Sequence, residues 1–308
     1  MKRRYNSLSD FLKQKFGCRV FKVSLNAGFT CPNRDGTKGT GGCIYCNPLS
    51  LEPSQISSGL NIKEQLSIGI EYIKKRHNAE QFIAYFQINS NTYAPLDVLE
   101  DMYNQAISHP LVVGLAVSTR PDGIDKNIIS LLSELSREKY LWLELGLQSA
   151  NDKTLKLINR CHTVNDFINA VNLARAKDIP VVSHVILGLP EETHEDMLNT
   201  AMFLAEMNIW GLKLHHLHIH KDTKLEDMYK NGEIKLMGLD EYANTAVDFL
   251  ERIYPETIIH RLCGDTSREL LIAPNWSVNK FPIIDRIHKI MEERDTYQGS
   301  LLIKDRIF

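Results

Sequence analysis

Three of the six cysteines in this 308-residue chain, Cys31, Cys43 and Cys46, fall within sixteen residues. Eleven residues separate the first pair and two separate the second. The intervening PNRDGTKGTGG is too rich in glycine for a regular helix or strand. It predicts a loop that folds back and aims three sulfurs at one place. Thiolates are soft ligands that select zinc, copper(I) or an iron–sulfur cluster. A structural zinc site takes four closed ligands, and no further Cys or His follows within thirty residues of Cys46. A four-iron cluster held by three thiolates keeps one iron open, and an open position is where chemistry happens. Structural zinc and three unrelated buried thiols stay open as alternatives. Cys18, Cys161 and Cys263 read as small packing residues.

The loop needs a scaffold, and hydrophobic periodicity supplies one. A capped helix over 6–16 leads into an alternating strand over 20–25 that runs towards Cys31. Helical spacing over 62–76, 96–107, 128–135, 153–158, 164–177 and 194–207 alternates with strand patterns over 82–88, 112–118, 141–147, 181–187 and 211–218. Several strands are apolar on both faces, as strands covered by helices must be. Such alternation predicts an α/β fold with a parallel sheet, either an open doubly wound sheet or a partial barrel. No GxGxxG or GxxxxGK[ST] follows any strand, so nucleotide-binding readings lack support. In barrel-like parallel sheets sites form at the carboxyl ends of strands. Polar residues gather there: Asn89–Thr92, Ser118–Arg120, Glu144 with Gln148, His184, and the histidines between His215 and His220. The histidines read mainly as packing groups, with at most one functional.

Composition bounds the rest. At 43% hydrophobic and 24% charged, the chain reads as globular, with room for one large domain or two ordinary ones. The net charge of −2 implies no bulk attraction to nucleic acid or membrane. No secretory signal or membrane-length apolar run is visible. Six unevenly spaced cysteines then point to a reducing, cytoplasmic setting.

Several ordered motifs, SLNAGFTCPNRDGTKGTGGCIYC, YFQINSNTYAP, STRPD, LELGLQS, INRCHT, ILGLPEET and LHIHKDTKLE, resemble the radical S-adenosylmethionine (radical SAM) superfamily. The likeness is to the YhcC/YtqA group, which is similar to the radical SAM portion of the Elongator catalytic subunit. The tail motif HRLCGDTSRELLIAPNW also resembles this group. The common spacing in the superfamily is CxxxCxxC; the long first gap here is similar to that of the Elongator-like branch. The chain is too short for an acetyltransferase domain after the barrel, so an acetyl-coenzyme A reaction is not expected.

The resemblance implies an incomplete six-stranded parallel (β/α)6 TIM-like barrel. Its expected parts are an amino-terminal segment (1–19), the radical SAM core (20–228) and a carboxyl-terminal α/β extension (229–308). It implies a [4Fe–4S] cluster on Cys31, Cys43 and Cys46, with S-adenosylmethionine (SAM) on the open iron. Asn89, Ser90 and Asn91 replace the family's glycine-rich motif for the SAM amino group, and Ser118 stands where a ribose-binding acid is common. Gln148 and Arg160 match SAM contacts, Arg160 as the partner of the carboxylate. His184, Ile186 and Gly188 would lie near the adenosine, and Tyr45 would cover the cluster or touch adenine. The resemblance further implies a tRNA anticodon loop as partner, with an electron donor such as flavodoxin or ferredoxin. The reaction would convert carboxymethylaminomethyl to aminomethyl on a wobble uridine, a base accessible in a single-stranded loop. Arg120, Lys213, Lys221, Lys224, Arg261 and Lys280 would bind phosphates. The alternatives are a radical SAM enzyme for a small metabolite and, from another class, a zinc-binding interaction module.

Overall fold

The computed structural model describes residues 3–51 and 59–304. Strands β1 (Val20–Leu25), β2 (Gln81–Phe86), β3 (Val112–Thr119), β4 (Tyr140–Gln148), β5 (Val181–Leu187) and β6 (Gly211–His216) lie side by side in chain order, all parallel. A short β7 (Ile219–His220) is followed by β8 (Ile258–Arg261) and β9 (Leu271–Ala273). β8 joins β6 in parallel, so the curved sheet of this half-barrel has seven strands. The expected six is therefore one short. The run over 258–262 reads as strand in sequence, but no local pattern says which sheet it joins. β7 and β9 form a separate antiparallel ribbon, which is why the expected strand over 211–218 stops at His216.

Helices Ile62–His77, Leu96–Ile107, Lys126–Glu138, Val164–Arg175, His194–Glu206 and Leu239–Glu251 contribute to the main core outside the sheet. Their starts are chemically marked. Asn61, Thr163 and Thr193 each cap with a reciprocal bond from the third helical residue, satisfying otherwise orphaned amides. Among the described residues no helix is long and apolar enough to cross a membrane.

The inner face of the sheet is layered. At the amino end, Ile83, Trp142 and Val182 are completely buried and pack with Val20 and Trp210. The helix Leu8–Phe16, capped by Ser7, seals this end through Leu8, Leu12 and Ile258. Each large apolar side chain so buried contributes about 1.5–3 kcal/mol. A polar layer sits above this plug, and the cysteine loop lies beyond the strands' carboxyl ends.

Candidate active site

The cysteine loop is held by its own backbone and by one neighbouring turn. Arg34 N–H donates to the Cys31 carbonyl at 2.7 Å, and Cys46 N–H to the Cys43 carbonyl at 3.0 Å. Gly41 and Gly42 both take positive φ, which lets the chain reverse just before Cys43. The Arg34 guanidinium donates to the Cys46 carbonyl. Ile44 N–H bonds the Ile158 carbonyl at 3.1 Å, and Asn159 Nδ2 bonds the Gly42 carbonyl at 2.8 Å. Asn159 and Cys161 are both left-handed, so Arg160 is presented from a tight turn against the loop.

Arg160 Nη1 reaches Cys43 Sγ at 3.5 Å and Nη2 donates to the Gly146 carbonyl at 2.9 Å. A Cβ on Gly146 would stand 2.6 Å from Arg160 Nη2 and 2.7 Å from Gln148 Nε2, so one of these side chains would have to move. Asn33 Nδ2 approaches the same sulfur at 3.6 Å. Burial would raise the Cys43 thiol's pKa, but Arg160, helped by Arg120, outweighs it and holds it below the ordinary thiol value. Cys46 is pushed up by burial and by the neighbouring charge of Cys43, with Cys31 adding to it. The three thiols thus share one electrostatic neighbourhood.

Among the described residues no group of three Cys, His, Asp or Glu side chains is gathered tightly enough to grip one metal ion. A four-iron cluster takes one thiolate per iron and has no need for sulfurs at a single point, unlike zinc. The surroundings also fit a polar organic ligand. Arg120 Nη1, Arg160 Nε, Asn33 Oδ1 and Asn91 Oδ1 are buried without a hydrogen-bond partner. Buried polar atoms are rarely left so. The donor set therefore fits the cluster and SAM.

Of the sequence-predicted residues, Tyr45, Gln148 and Arg160 come together beside Cys43. Ser90 Oγ pairs with Thr119 Oγ1 at 2.9 Å, and Asn91 Nδ2 donates to the Ser118 carbonyl at 2.8 Å, which fixes these strand ends together. Asn89 takes positive φ and donates to the Phe29 carbonyl at 2.8 Å. Ile186 packs with Ile44 and Leu189 under the loop. Gly188 stands apart, against Met237, where a Cβ would lie 2.8 Å from Sδ; it lines a cavity of about 500 Å³ with Glu192 and Met197. Ser118 lies against the Tyr85 hydroxyl, below the rim.

His184 belongs to that deeper layer. The buried Glu144 carboxylate accepts from the Tyr85 hydroxyl at 2.8 Å, Trp142 Nε1 at 2.9 Å, His184 Nε2 at 2.8 Å and Lys213 Nζ. Lys22 Nζ stands 3.5 Å away and His260 Nδ1 3.8 Å. Burial alone would raise the Glu144 pKa; Lys213 and Lys22, with the histidine hydrogen bonds, hold it well below the carboxylate range. Burial, then repulsion from Lys213, lowers His184 to about 4, so it donates to Glu144 as a neutral ring.

Two expected phosphate contacts are corrected. Lys213 and Arg120 are each 2% exposed, the first inside the barrel and the second bound to Asp122 and the Arg160 carbonyl. A polynucleotide backbone outside the barrel cannot reach them. Cys161 is exposed rather than a packing residue, while Cys263 is buried in the core. His216 packs on His218 and Trp276 with ring centroids 4.1 and 4.6 Å away. His220 Nδ1 meets the Tyr45 carbonyl at 3.3 Å. Lys22, Tyr85, Trp142, His162 and His260 were not singled out from sequence. The available signal was a charge alternating with apolar residues, as Lys22, Glu144 and Lys213 do in their strands.

Residues 31–204 match the Radical SAM superfamily, and residues 209–293 match the Radical_SAM C-terminal domain. The chain is similar to YtqA of Bacillus subtilis, 40% identical over 97% of this chain and 92% of that protein. It is more distantly similar to the tRNA uridine(34) acetyltransferase of Methanocaldococcus infernus, 26% identical over 62% of this chain and 35% of that protein. Among solved structures, the archaeal Elp3 of Methanocaldococcus infernus, with an amino-terminal deletion, superposes with a TM-score of 0.67 at 18% identity. That likeness covers 91% of this chain and 64% of Elp3, and it carries the fold alone.

Proposed function

We propose that this chain, which belongs to the radical SAM superfamily and so to a family whose cofactors are a [4Fe–4S] cluster and SAM, modifies a tRNA wobble uridine. The observation that carries the reading is the rim itself: three thiols in one electrostatic neighbourhood, Arg160 on Cys43, and buried polar atoms without partners. When bound, the two cofactors supply one-electron cleavage of the sulfonium and a 5′-deoxyadenosyl radical that takes a substrate hydrogen atom.

The protein's residues hold and orient. Cys31, Cys43 and Cys46 bind the cluster, and Tyr45 covers it. Arg160, backed by Arg120 and His162, takes the SAM carboxylate, a pairing suited to a guanidinium. Asn89, Ser90, Asn91 and Gln148 serve the amino group through side-chain and backbone oxygens. Ser118 serves the ribose and Ile186 the adenine. His184 acts from below, through Glu144. Fixing the sulfonium in one pose is an orientation effect that lowers the barrier before any bond changes.

The tRNA substrate is supported by the relatives named as tRNA uridine(34) acetyltransferases. The reaction on this reading takes carboxymethylaminomethyl to aminomethyl: the methylene flanked by nitrogen and carboxylate would lose a hydrogen atom and then one electron, returned to the cluster, and water would hydrolyse the resulting imine to the amine and glyoxylate. A flavodoxin or ferredoxin as electron donor and a cytoplasmic setting go with it. Mass spectrometry of tRNA nucleosides from cells lacking the protein tests this directly. Accumulated carboxymethylaminomethyluridine supports it; an unchanged nucleoside profile overturns the tRNA substrate and leaves a small metabolite in its place.

A further inference from the structure

The polar layer inside the barrel holds more positive charge than it can use. Lys22, Lys213 and Arg261 lie within electrostatic reach of one another. Among the described residues, Glu144 is the one carboxylate within ion-pair distance of any of them. A carboxylate offers about four acceptor sites. Tyr85, His184 and Lys213 crowd Oε2 of Glu144, and Trp142 donates to Oε1. Lys22 is left at 3.5 Å, sharing the Tyr85 ring with Lys213 at 4.6 and 4.4 Å from its centroid. Arg261 makes no hydrogen bond or ion pair among the described residues.

Arg261 reaches this layer through an irregularity in the sheet. Leu212 pairs with Ile259 and Lys213 with Arg261, so His260 is an extra residue at that step. A bulge of this kind re-aims side chains that would otherwise alternate. His260 meets Glu144, and Arg261 stands beside Lys213. Overhead, the His215 ring lies 5.5 Å from that of His184, and its Nε2 is buried without a partner. The Lys22 side chain is 21% exposed, whereas those of Lys213 and Glu144 are 2% and 0% exposed.

We infer that this layer is the seat of a substrate carboxylate, bound by Arg261 and Lys22 with His215 beside them. A backbone phosphate is held outside by the polynucleotide it belongs to; a carboxylate on a flexible side group can enter. One negative charge answers the two cations that Glu144 cannot fully compensate. Burial first, and then repulsion among these cations, lowers the pKa of both lysines, and a bound anion would relieve the repulsion. The inference rests on the tRNA reading only for what carries the carboxylate; the charge arrangement stands without it.

The test uses the cluster-loaded protein with SAM and measures equilibrium binding. The probes are an anticodon stem-loop bearing 5-carboxymethylaminomethyluridine and the same stem-loop with that carboxylate as its primary amide. N-methylglycine and its amide, followed by thermal shift, form a second pair. The acid stem-loop is expected to bind about tenfold or more tighter than the amide, as a charge-assisted contact implies. Arg261→Gln should abolish that preference, and Arg261→Lys should keep part of it, which separates charge from misfolding. Equal binding of acid and amide stem-loops by the parent overturns the carboxylate seat and leaves the tRNA reading intact. If neither stem-loop binds, while N-methylglycine stabilises the parent more than its amide does and Arg261→Gln removes the difference, the seat stands and the tRNA reading falls. If neither pair discriminates and no stem-loop binds, both fall.

Discussion

The rim and the barrel interior are both polar and both buried, yet they are built in opposite ways. At the rim, several polar atoms around the cysteines have no partner, among them Arg120 Nη1, Arg160 Nε and Asn91 Oδ1. In the interior, Glu144 accepts four hydrogen bonds, three of them at Oε2. An unpartnered buried donor costs about 1–3 kcal/mol, so the rim is held at a cost that a ligand would offset. The interior carboxylate is already satisfied and serves as a fixed charge that positions its neighbours. Unmet hydrogen bonds mark where something binds, around the cysteines at the rim and, in the interior, at His215 Nε2.

Removing a rim sulfur should have the largest effect on function. Cys43→Ala should lose bound iron and its visible absorbance, and SAM cleavage should fall by more than the ~10–100-fold typical of outer-shell changes. Circular dichroism should show the fold unchanged, since the loop is held by backbone bonds from its neighbours. A variant that keeps its iron and cleaves SAM would remove Cys43 from the ligand set.

The interior should respond oppositely, in stability. Glu144→Leu leaves Lys213 and Lys22 buried with no counter-charge, which should cost about 3–5 kcal/mol in urea unfolding. The pH dependence follows from the same network. A carboxyl whose folded pKa is depressed stabilises at pH above its unfolded value, about 4.3, and loses that contribution as pH falls below it towards the folded value. His184, lowered to about 4 by burial and Lys213, adds stability that is full above its unfolded pKa and is lost as pH falls through about 4. Stability of the parent should therefore decline steadily as pH drops from about 6.5, and Glu144→Gln should flatten the lower part of that curve. A parallel decline in parent and variant would separate Glu144 from acid sensitivity.

A smaller change sharpens the rim alone. Gly146→Ala places a methyl 2.6 Å from Arg160 Nη2 and should displace the guanidinium. Overpacking of this kind costs about 1–3 kcal/mol. SAM affinity should weaken by roughly tenfold, about 1.4 kcal/mol, with iron content retained. Cys161→Ser should do least: the thiol is exposed, so stability should shift by no more than about 0.5 kcal/mol. Loss of iron in that variant would mean that a fourth thiol takes part.

Much was legible before any coordinates. The spacing of Cys31, Cys43 and Cys46 and the β/α alternation are local facts, written in glycine content and periodicity. What the sequence could not assign was partnership between distant segments. Ile258–Arg261 reads as a strand wherever it goes; only the space beside β6 makes it the seventh strand and brings His260 and Arg261 into the barrel. Lys213 reads as a rim cation until Glu144, Tyr85 and the curvature of the sheet enclose it. Chemistry carried by one loop is visible in a line of residues. Chemistry carried by one residue from each of seven strands is decided by register and closure, which depend on long-range packing rather than on any local run.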